Sequence, residues 1–197
     1  GLIISTEHSI MEEDVKIVLE DAAEKMGKAV NHLDQEIGKV RAGKANPKML
    51  ESVMFHYYAT KTPITQVASI NTPDPRTIAI QPWEKNLIQA IEKAIMAANL
   101  GMNPDNNGDI IRINVPPLTE ERRKDLVKQV RKMGEDTRIV IRNIRRDTNE
   151  EFKKLKKDGL PEDMEKDGQD QVQKLTDKYT KLVDELLEKK EKEILTV

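Results

Sequence analysis

The segment Pro116–Leu126 constrains the fold more than any other part of the chain, because it ends an extended stretch and begins a long helix. Its two leading prolines hold the backbone extended and disfavour helix at the residue before each of them. Thr119 is a good N-cap residue, and the two glutamates after it suit the positive end of a helix dipole. A helix is therefore predicted to begin directly after Thr119.

Apolar and small residues recur at intervals of three and four along this helix, over about eight turns. They are Leu126, Val130, Met133, Thr137, Val140, Ile141, Ile144, Thr148, Phe152 and Leu155. The same spacing predicts two further helices, one over about residues 12–42 that Gly43 ends and one over about residues 163–194. Three helices with one apolar stripe each are expected to pack as a bundle.

Short strand-like runs lie between the first two long helices, at residues 53–58, 77–80 and 110–115, and one short helix is predicted at about residues 86–99. The predicted fold class is therefore α+β, a long three-helix bundle with an inserted small β/α/β domain. Its domain boundaries are residues 11–43 and 118–197 for the bundle (domain I) and 44–117 for the insertion (domain II). Residues 1–10 are expected to be a leader or extension without an assigned role, because Met11 suits a native start.

The composition narrows the function classes. The chain has 197 residues, of which 35% are charged and 3% aromatic, so a lean helical core is expected. Because cysteine is absent, disulfides and thiolate metal sites are excluded, and a reducing compartment is compatible. The apolar runs are too short to span a bilayer, and residues 1–10 lack the pattern of a secretory signal. We therefore expect a cytoplasmic protein with no membrane partner.

No catalytic constellation is present. The three histidines, His8, His32 and His56, have no spacing that suggests a metal site or a triad. The sequence also has no phosphate-cradling glycine loop. Trp83 is expected in the core or rim of the small domain, because base-stacking surfaces usually present several aromatics. We predict a protein that is not an enzyme and uses no cofactor or metal.

Cations concentrate on the helix after Thr119. Residues 121–157 hold 14 Lys or Arg against 7 Asp or Glu, a balance of +7 in a chain whose total is −2. At 100° per residue, six of these cations form a stripe beside the apolar one: Lys124, Lys128, Arg131, Arg138, Arg142 and Arg145. A solvated helix face of mixed charge accounts for the pattern equally well. Arginine, however, suits bidentate contact with phosphate, so a polyanionic partner is the more specific hypothesis.

Two short crossings join the small domain to the bundle. They are Gly43-Lys44-Ala45-Asn46 and Val115-Pro116-Pro117-Leu118. Glycine and proline at these places can simply end helices and strands. Two short crossings side by side also permit one domain to swing as a unit, which is how hinges are usually built.

Several ordered motifs resemble the ribosome recycling factor family. The matching residues are PPLTEERRK at 116–124, VIRNIRRD at 140–147, DQVQKLTD at 170–177, RAGKANP at 41–47 and EKAI at 92–95. The resemblance covers the chain from about Glu12 to Val197. One departure is Lys44, where the family pattern has arginine, so a bidentate contact there is in doubt.

The resemblance implies an L-shaped arrangement of a three-helix bundle and a hinged β/α/β domain. It also implies that the protein binds the large ribosomal subunit after termination and, with elongation factor G and GTP, splits the post-termination ribosome. It assigns contacts with 23S ribosomal RNA to Arg123, Arg142 and Arg145. With the remaining basic candidates, the predicted RNA-binding residues are Arg41, Lys44, Arg123, Arg131, Arg138, Arg142, Arg145 and Arg146. A monomer is expected.

Two other function classes stay open from the residues alone. A structural or adaptor protein would use its helical seams to bind another protein, and that binding would be nearly insensitive to salt. An RNA-modifying enzyme would need reactive residues that the sequence lacks. Action inside an organelle of bacterial descent is a further possibility beside the bacterial cytosol.

Overall fold

The structure, a computed structural model, describes the backbone of residues 2–196 and the side chains of residues 11–196, and the chain divides into two compact units. Unit 1 takes the chain up to Val40 together with Arg123–Thr196, and unit 2 is Arg41–Arg122. Unit 1 is helical and unit 2 contains all the strands of the described residues. The predicted α+β class, a helical bundle with a small β-sheet unit, is confirmed.

Three long helices build unit 1: α1 (Leu2–Gly38), α3 (Glu120–Lys157) and α4 (Glu162–Leu195). The apolar stripes supply its core, which includes Met26, Leu33, Ile141 and Val172, all nearly or fully buried. Buried Thr137, Thr148 and Thr176 each donate their hydroxyl to the carbonyl four residues earlier. These hydroxyl groups are thereby satisfied without a partner from another helix.

The first helix differs from its predicted bounds at both ends. It begins at Leu2, because no proline or glycine interrupts residues 2–11, so Met11 is not a structural boundary. It ends at Gly38 and not at Ala42, closing with a tight turn in which the Val40 amide donates to the Ile37 carbonyl at 3.0 Å. Val40 and Ala42 are nevertheless buried, which explains why the apolar spacing continues past the end of the helix.

Val140 is predicted in the buried stripe of α3, but 45% of it is exposed. It lines an open groove between α1 and α3 together with Ala29, Leu33 and Met133. Because α1 does not cover this part of α3, the apolar pattern there does not become core.

Unit 2 contains two antiparallel sheets and the short helix α2 (Ile88–Ala97). Strands β1 (Met54–Tyr57) and β2 (Thr60–Pro63) form a hairpin. The four-stranded sheet has the order β3-β4-β6-β5, from β3 (Ala68–Asp74), β4 (Thr77–Pro82), β5 (Pro104–Asn106) and β6 (Ile111–Asn114). Its core is rich in isoleucine, with Ile78, Ile80, Ile91, Ile95, Ile111 and Ile113 fully buried.

Trp83 is expected in the core or at the rim of the small domain, and its 71% exposure excludes the core. Exposed Tyr58 stands at the tip of the β1–β2 hairpin and packs edge-on against Tyr57, with ring centroids 4.5 Å apart. The Tyr57 hydroxyl donates to Glu84, the residue after Trp83. Several of the few aromatic residues of the chain therefore belong to adjoining segments at one surface of unit 2.

No helix within residues 2–196 is both long and apolar enough to cross a membrane.

Candidate nucleic-acid interface

Helix α3, which carries the cationic stripe, begins as the sequence predicts. The Arg122 amide donates to the Thr119 hydroxyl at 3.1 Å, which satisfies one of the free donors at the helix start. Glu120 and Glu121 occupy the first turn, and Lys154, Lys156 and Lys157 occupy the last. Negative charges at the start and positive charges at the end of a helix interact favourably with its dipole. They therefore stabilise α3, the helix that holds the arginines.

Three arginines spaced by seven residues face α4. Arg131 Nε donates to Glu191 Oε1 at 2.7 Å, and Arg138 Nη2 donates to Asp184 Oδ1. Arg145 Nη1 donates to Gln173 Oε1 at 2.8 Å. The partners run backward along α4 as the arginines run forward along α3, so the two helices are antiparallel. We call this set of three arginines and three partners the interhelical ladder.

The Gln173 side chain connects the ladder to one more carboxylate. Its Nε2 donates to Asp177 Oδ1 at 3.0 Å. Asp177, Asp184 and Glu191 are themselves spaced by seven residues, the interval that keeps one face of a helix turned to its neighbour. The two carboxylate partners of the ladder, Asp184 and Glu191, thus have the seven-residue spacing of interhelical ion pairs in coiled coils.

A second set of contacts lies along α3 itself. Arg142 Nη2 donates to Glu135 Oε1 at 3.0 Å, and Arg138 Nη1 donates to Glu135 Oε2 at 3.4 Å. The hydrogen bond from Arg142 is the main reason that the pKa of Glu135 lies below its usual value. Hydrogen bonds to Glu191 and Asp184 raise the pKa of Arg131 and of Arg138, respectively. Each of these shifts favours the charged form of Glu135, Arg131 or Arg138.

The remaining predicted RNA-binding residues lie in different environments. Among residues 11–196, whose side chains the structure describes, Arg123 and Arg146 find no partner for a side-chain hydrogen bond or ion pair. Arg123 is half-buried and Arg146 is exposed. In unit 2, Arg41 Nη1 donates to the Leu100 carbonyl at 3.4 Å, and Lys44 is half-buried. The candidates on α3 run from Arg123 to Arg146. Because each residue adds about 1.5 Å along a helix, they extend over about 35 Å, and we call them the arginine row.

The predicted hinge residues pack against one another inside unit 2. Gly43 adopts a φ of +75°, and a Cβ added there would lie 2.7 Å from Leu118 Cγ. Ala45 and Val115 donate their amides to the carbonyls of Pro75 and Arg76, each at 2.7 Å. Both crossings are thus fastened to the same β3–β4 turn, which the sequence prediction of the hinge does not include. Asn46 caps the short 3-10 helix that follows, through its contact with the Lys48 amide at 3.0 Å.

Sequence reasoning misses the α4 half of the ladder. Gln173, Asp184 and Glu191 do not differ by residue type from the other polar residues of that helix. The spacing of the two carboxylates is a usable signal. Asp184 and Glu191 are seven residues apart, as Arg131 and Arg138 are. Pairing these two rows requires the helix register, which only the folded bundle supplies.

The two histidines whose side chains the structure describes do not lie together in one site. His32 and His56 are exposed and lie in different units. Within the described side chains of residues 11–196, no group of three or more His, Asp or Glu is arranged to hold a metal ion. The row of guanidinium groups is suited to contact with an extended polyanion, because guanidinium binds phosphate in a planar, bidentate geometry.

Comparison with known proteins agrees with the motifs. A model of the family described as "Ribosome recycling factor" matches residues 33–195. The ribosome-recycling factor of Flavobacterium johnsoniae is 52% identical over 187 residues, which cover 95% of this chain and 100% of that protein.

Two solved structures have the same fold. A solution structure of the ribosome recycling factor is 40% identical, has a TM-score of 0.74, and the match covers 93% of this chain and 98% of that one. Models of the T. thermophilus ribosome recycling factor and E. coli elongation factor G bound to the E. coli post-termination complex include a chain that is 44% identical. Its TM-score is 0.60, and the match covers 92% of this chain and 99% of that one. The family is one of non-enzymatic translation factors, and the match over most of the sequence shows that this chain belongs to the ribosome recycling factor family.

Proposed function

We propose that this protein binds the large ribosomal subunit after termination and, with elongation factor G, splits the post-termination ribosome into its subunits. The observation that carries the proposal is family membership over nearly the whole chain. A related structure pairs a ribosome recycling factor with elongation factor G on a post-termination complex, which supports the same role here.

The ligand on the large subunit is proposed to be 23S ribosomal RNA, bound by the arginines of α3. Arg145 is the strongest single candidate. Its ladder partner Gln173 is a neutral amide, so the Arg145 charge is not cancelled, whereas Arg131 and Arg138 each face a carboxylate. Arg123 and Arg146, which have no side-chain partner among the described side chains of residues 11–196, are the first and last of the proposed RNA-binding arginines along α3.

The change Arg145→Ala tests this assignment. Loss of a phosphate-binding arginine typically costs about 1–3 kcal/mol, so affinity for purified 50S subunits should fall roughly ten- to a hundred-fold. Lys132→Ala is the matched control, because it removes one charge from the same helix about 140° away from Arg145. Co-sedimentation at two salt concentrations measures both variants, and thermal denaturation checks that they remain folded.

The control should bind almost as the parent does. Equal affinity of folded Arg145→Ala and parent protein would contradict the RNA assignment. Binding of the parent that does not change with salt would instead favour an adaptor held by apolar contacts, since phosphate contacts release counterions and weaken as salt rises.

The proposal also covers how the two units contribute to ribosome splitting. This chain has no nucleotide-binding loop, so the energy for splitting is proposed to come from GTP hydrolysis on elongation factor G. The crossings at residues 43–46 and 115–118 are proposed to act as the hinge that transmits it. A monomer acting in the bacterial cytosol is the accompanying expectation.

A further inference from the structure

The α4 carboxylates occupy the same guanidinium groups that the proposed RNA contact needs. We propose that Asp184 and Glu191 act as internal competitors of RNA phosphate and thereby weaken binding at the Arg131 and Arg138 part of the α3 surface. The inference rests on the proposed function, because it concerns the affinity of that same surface. It assigns a role to α4 residues that belong to no RNA-binding motif.

The three positions of the ladder differ in how much positive charge is cancelled. Arg138 contacts two carboxylates, Asp184 and Glu135, through different guanidinium nitrogens. Arg131 contacts one carboxylate, Glu191. Arg145 contacts only the amide of Gln173. Unopposed charge therefore increases along α3 from Arg138 toward Arg145.

The blocking contacts are open to exchange. Each ion pair has one exposed and one largely covered member: Arg131 is 66% exposed against 23% for Glu191, and Asp184 is 56% exposed against 26% for Arg138. Both pairs line a groove of about 570 Å³ between α3 and α4, together with Glu188. A phosphate entering this groove would meet the guanidinium groups and the carboxylates together, so it would have to displace the carboxylates and withstand their repulsion.

Guanidinium geometry explains why Arg138 is the most affected. The group has five N–H donors in a fixed plane, and bidentate phosphate binding uses two of them side by side. Arg138 already directs both terminal nitrogens to carboxylates, whereas Arg131 contacts Glu191 through Nε. Removing the negative charge of Asp184 should therefore let phosphate compete more effectively for Arg138 Nη2.

The decisive variant is Asp184→Asn, alone and combined with Glu191→Gln. Asparagine and glutamine can still accept hydrogen bonds from arginine, so the ladder geometry is retained while the negative charge is removed. Affinity for purified 50S subunits should rise about three- to tenfold for each neutralised carboxylate. The slope of log affinity against log salt should steepen by about one for each additional phosphate that is contacted.

The matched control is Glu20→Gln combined with Asp14→Asn. Both carboxylates are exposed on α1, which contributes no residue to the ladder, and the control changes the net charge by the same two units as the double variant. It isolates the effect of the ladder from that of overall charge. Thermal denaturation of each variant shows whether altered binding follows from altered stability.

A double-mutant cycle between Arg138→Gln and Asp184→Asn completes the test. If Asp184 acts by blocking Arg138, the gain from Asp184→Asn should disappear when Arg138 is absent. The inference is overturned if Asp184→Asn with Glu191→Gln binds no tighter than the α1 control, or if the gain from Asp184→Asn alone persists in the Arg138→Gln background. These outcomes are distinguishable from failure of the RNA assignment, which follows instead if Arg145→Ala retains the parent affinity.

Discussion

At the residue scale, two glycines show how closely the long helices of unit 1 pack. Gly134 on α3 lies against Leu187 of α4, and Gly168 on α4 lies against the fully buried ring of Phe152 on α3. A Cβ added at Gly168 would lie 2.8 Å from Phe152 Cζ. The periodicity of apolar residues does not show this requirement, because glycine contributes nothing to the apolar pattern.

Gly168→Ala should therefore destabilise the protein. Alanine ordinarily stabilises a helix interior relative to glycine by about 1 kcal/mol, but an overpacked core costs about 1–3 kcal/mol. Because Phe152 is fully buried and cannot easily move, we expect the free energy of unfolding to decrease, as measured by chemical denaturation. Gly38→Ala is the control, because a Cβ there meets no atom within 4 Å. A stabilised Gly168→Ala variant would show that Phe152 yields more readily than its burial suggests.

At the scale of the elements, the strands that sequence reasoning misses share one property. β2, β3 and β5 are all edge strands, and each contains a proline: Pro63, Pro73 and Pro104. Edge strands tolerate proline and polar residues because one edge of their backbone forms no hydrogen bonds with another strand. The inner strands β4 and β6, which pair on both sides, have the alternating isoleucines that make them predictable.

Thr119 gives an element-scale prediction for the start of α3. Thr119→Ala removes the hydroxyl that accepts the Arg122 amide, so it should lower the free energy of unfolding by about 1 kcal/mol. Thr119→Ser keeps an accepting hydroxyl and should lie close to the parent. Chemical denaturation compares the three proteins, and equal stability of the alanine and serine variants would mean that water satisfies the helix start as well as the cap does.

At the scale of the whole molecule, function is proposed to depend on the two crossings between units. Residues 39–46 and 115–119 belong to no α-helix or strand, and both crossings contact the β3–β4 turn. Pro116 and Pro117 restrict the second crossing, since proline fixes its own φ and limits the preceding residue. In this proposal, a stiff crossing passes a movement of one unit on to the other unit, whereas a flexible crossing absorbs the movement.

Replacing both prolines by glycine should therefore separate binding from splitting. We expect 50S affinity within about twofold of the parent, because unit 1 carries the arginine row, together with slower splitting of post-termination ribosomes by elongation factor G and GTP. Light scattering measures the splitting rate and co-sedimentation measures the affinity. Pro63→Gly, in strand β2 of the β1–β2 hairpin, is the control, because the crossings are fastened to the β3–β4 turn and not to this hairpin. An unchanged splitting rate in the double-glycine variant would remove the second crossing from the mechanism.

The sequence by itself determined the three long helices, the cap at Thr119 and the family, because periodicity, capping and motif order are properties of neighbouring residues. Tertiary structure decided which arginines have their positive charge balanced by a nearby carboxylate. Arg138 and Arg145 belong to the same stripe, yet Arg138 pairs with Asp184, whereas the partner of Arg145 is the neutral Gln173. The exposure of Val140 is likewise a result of tertiary structure, because the residue lines an open groove between α1 and α3. Such outcomes depend on the register and spacing of helices far apart in sequence, and no local pattern encodes them.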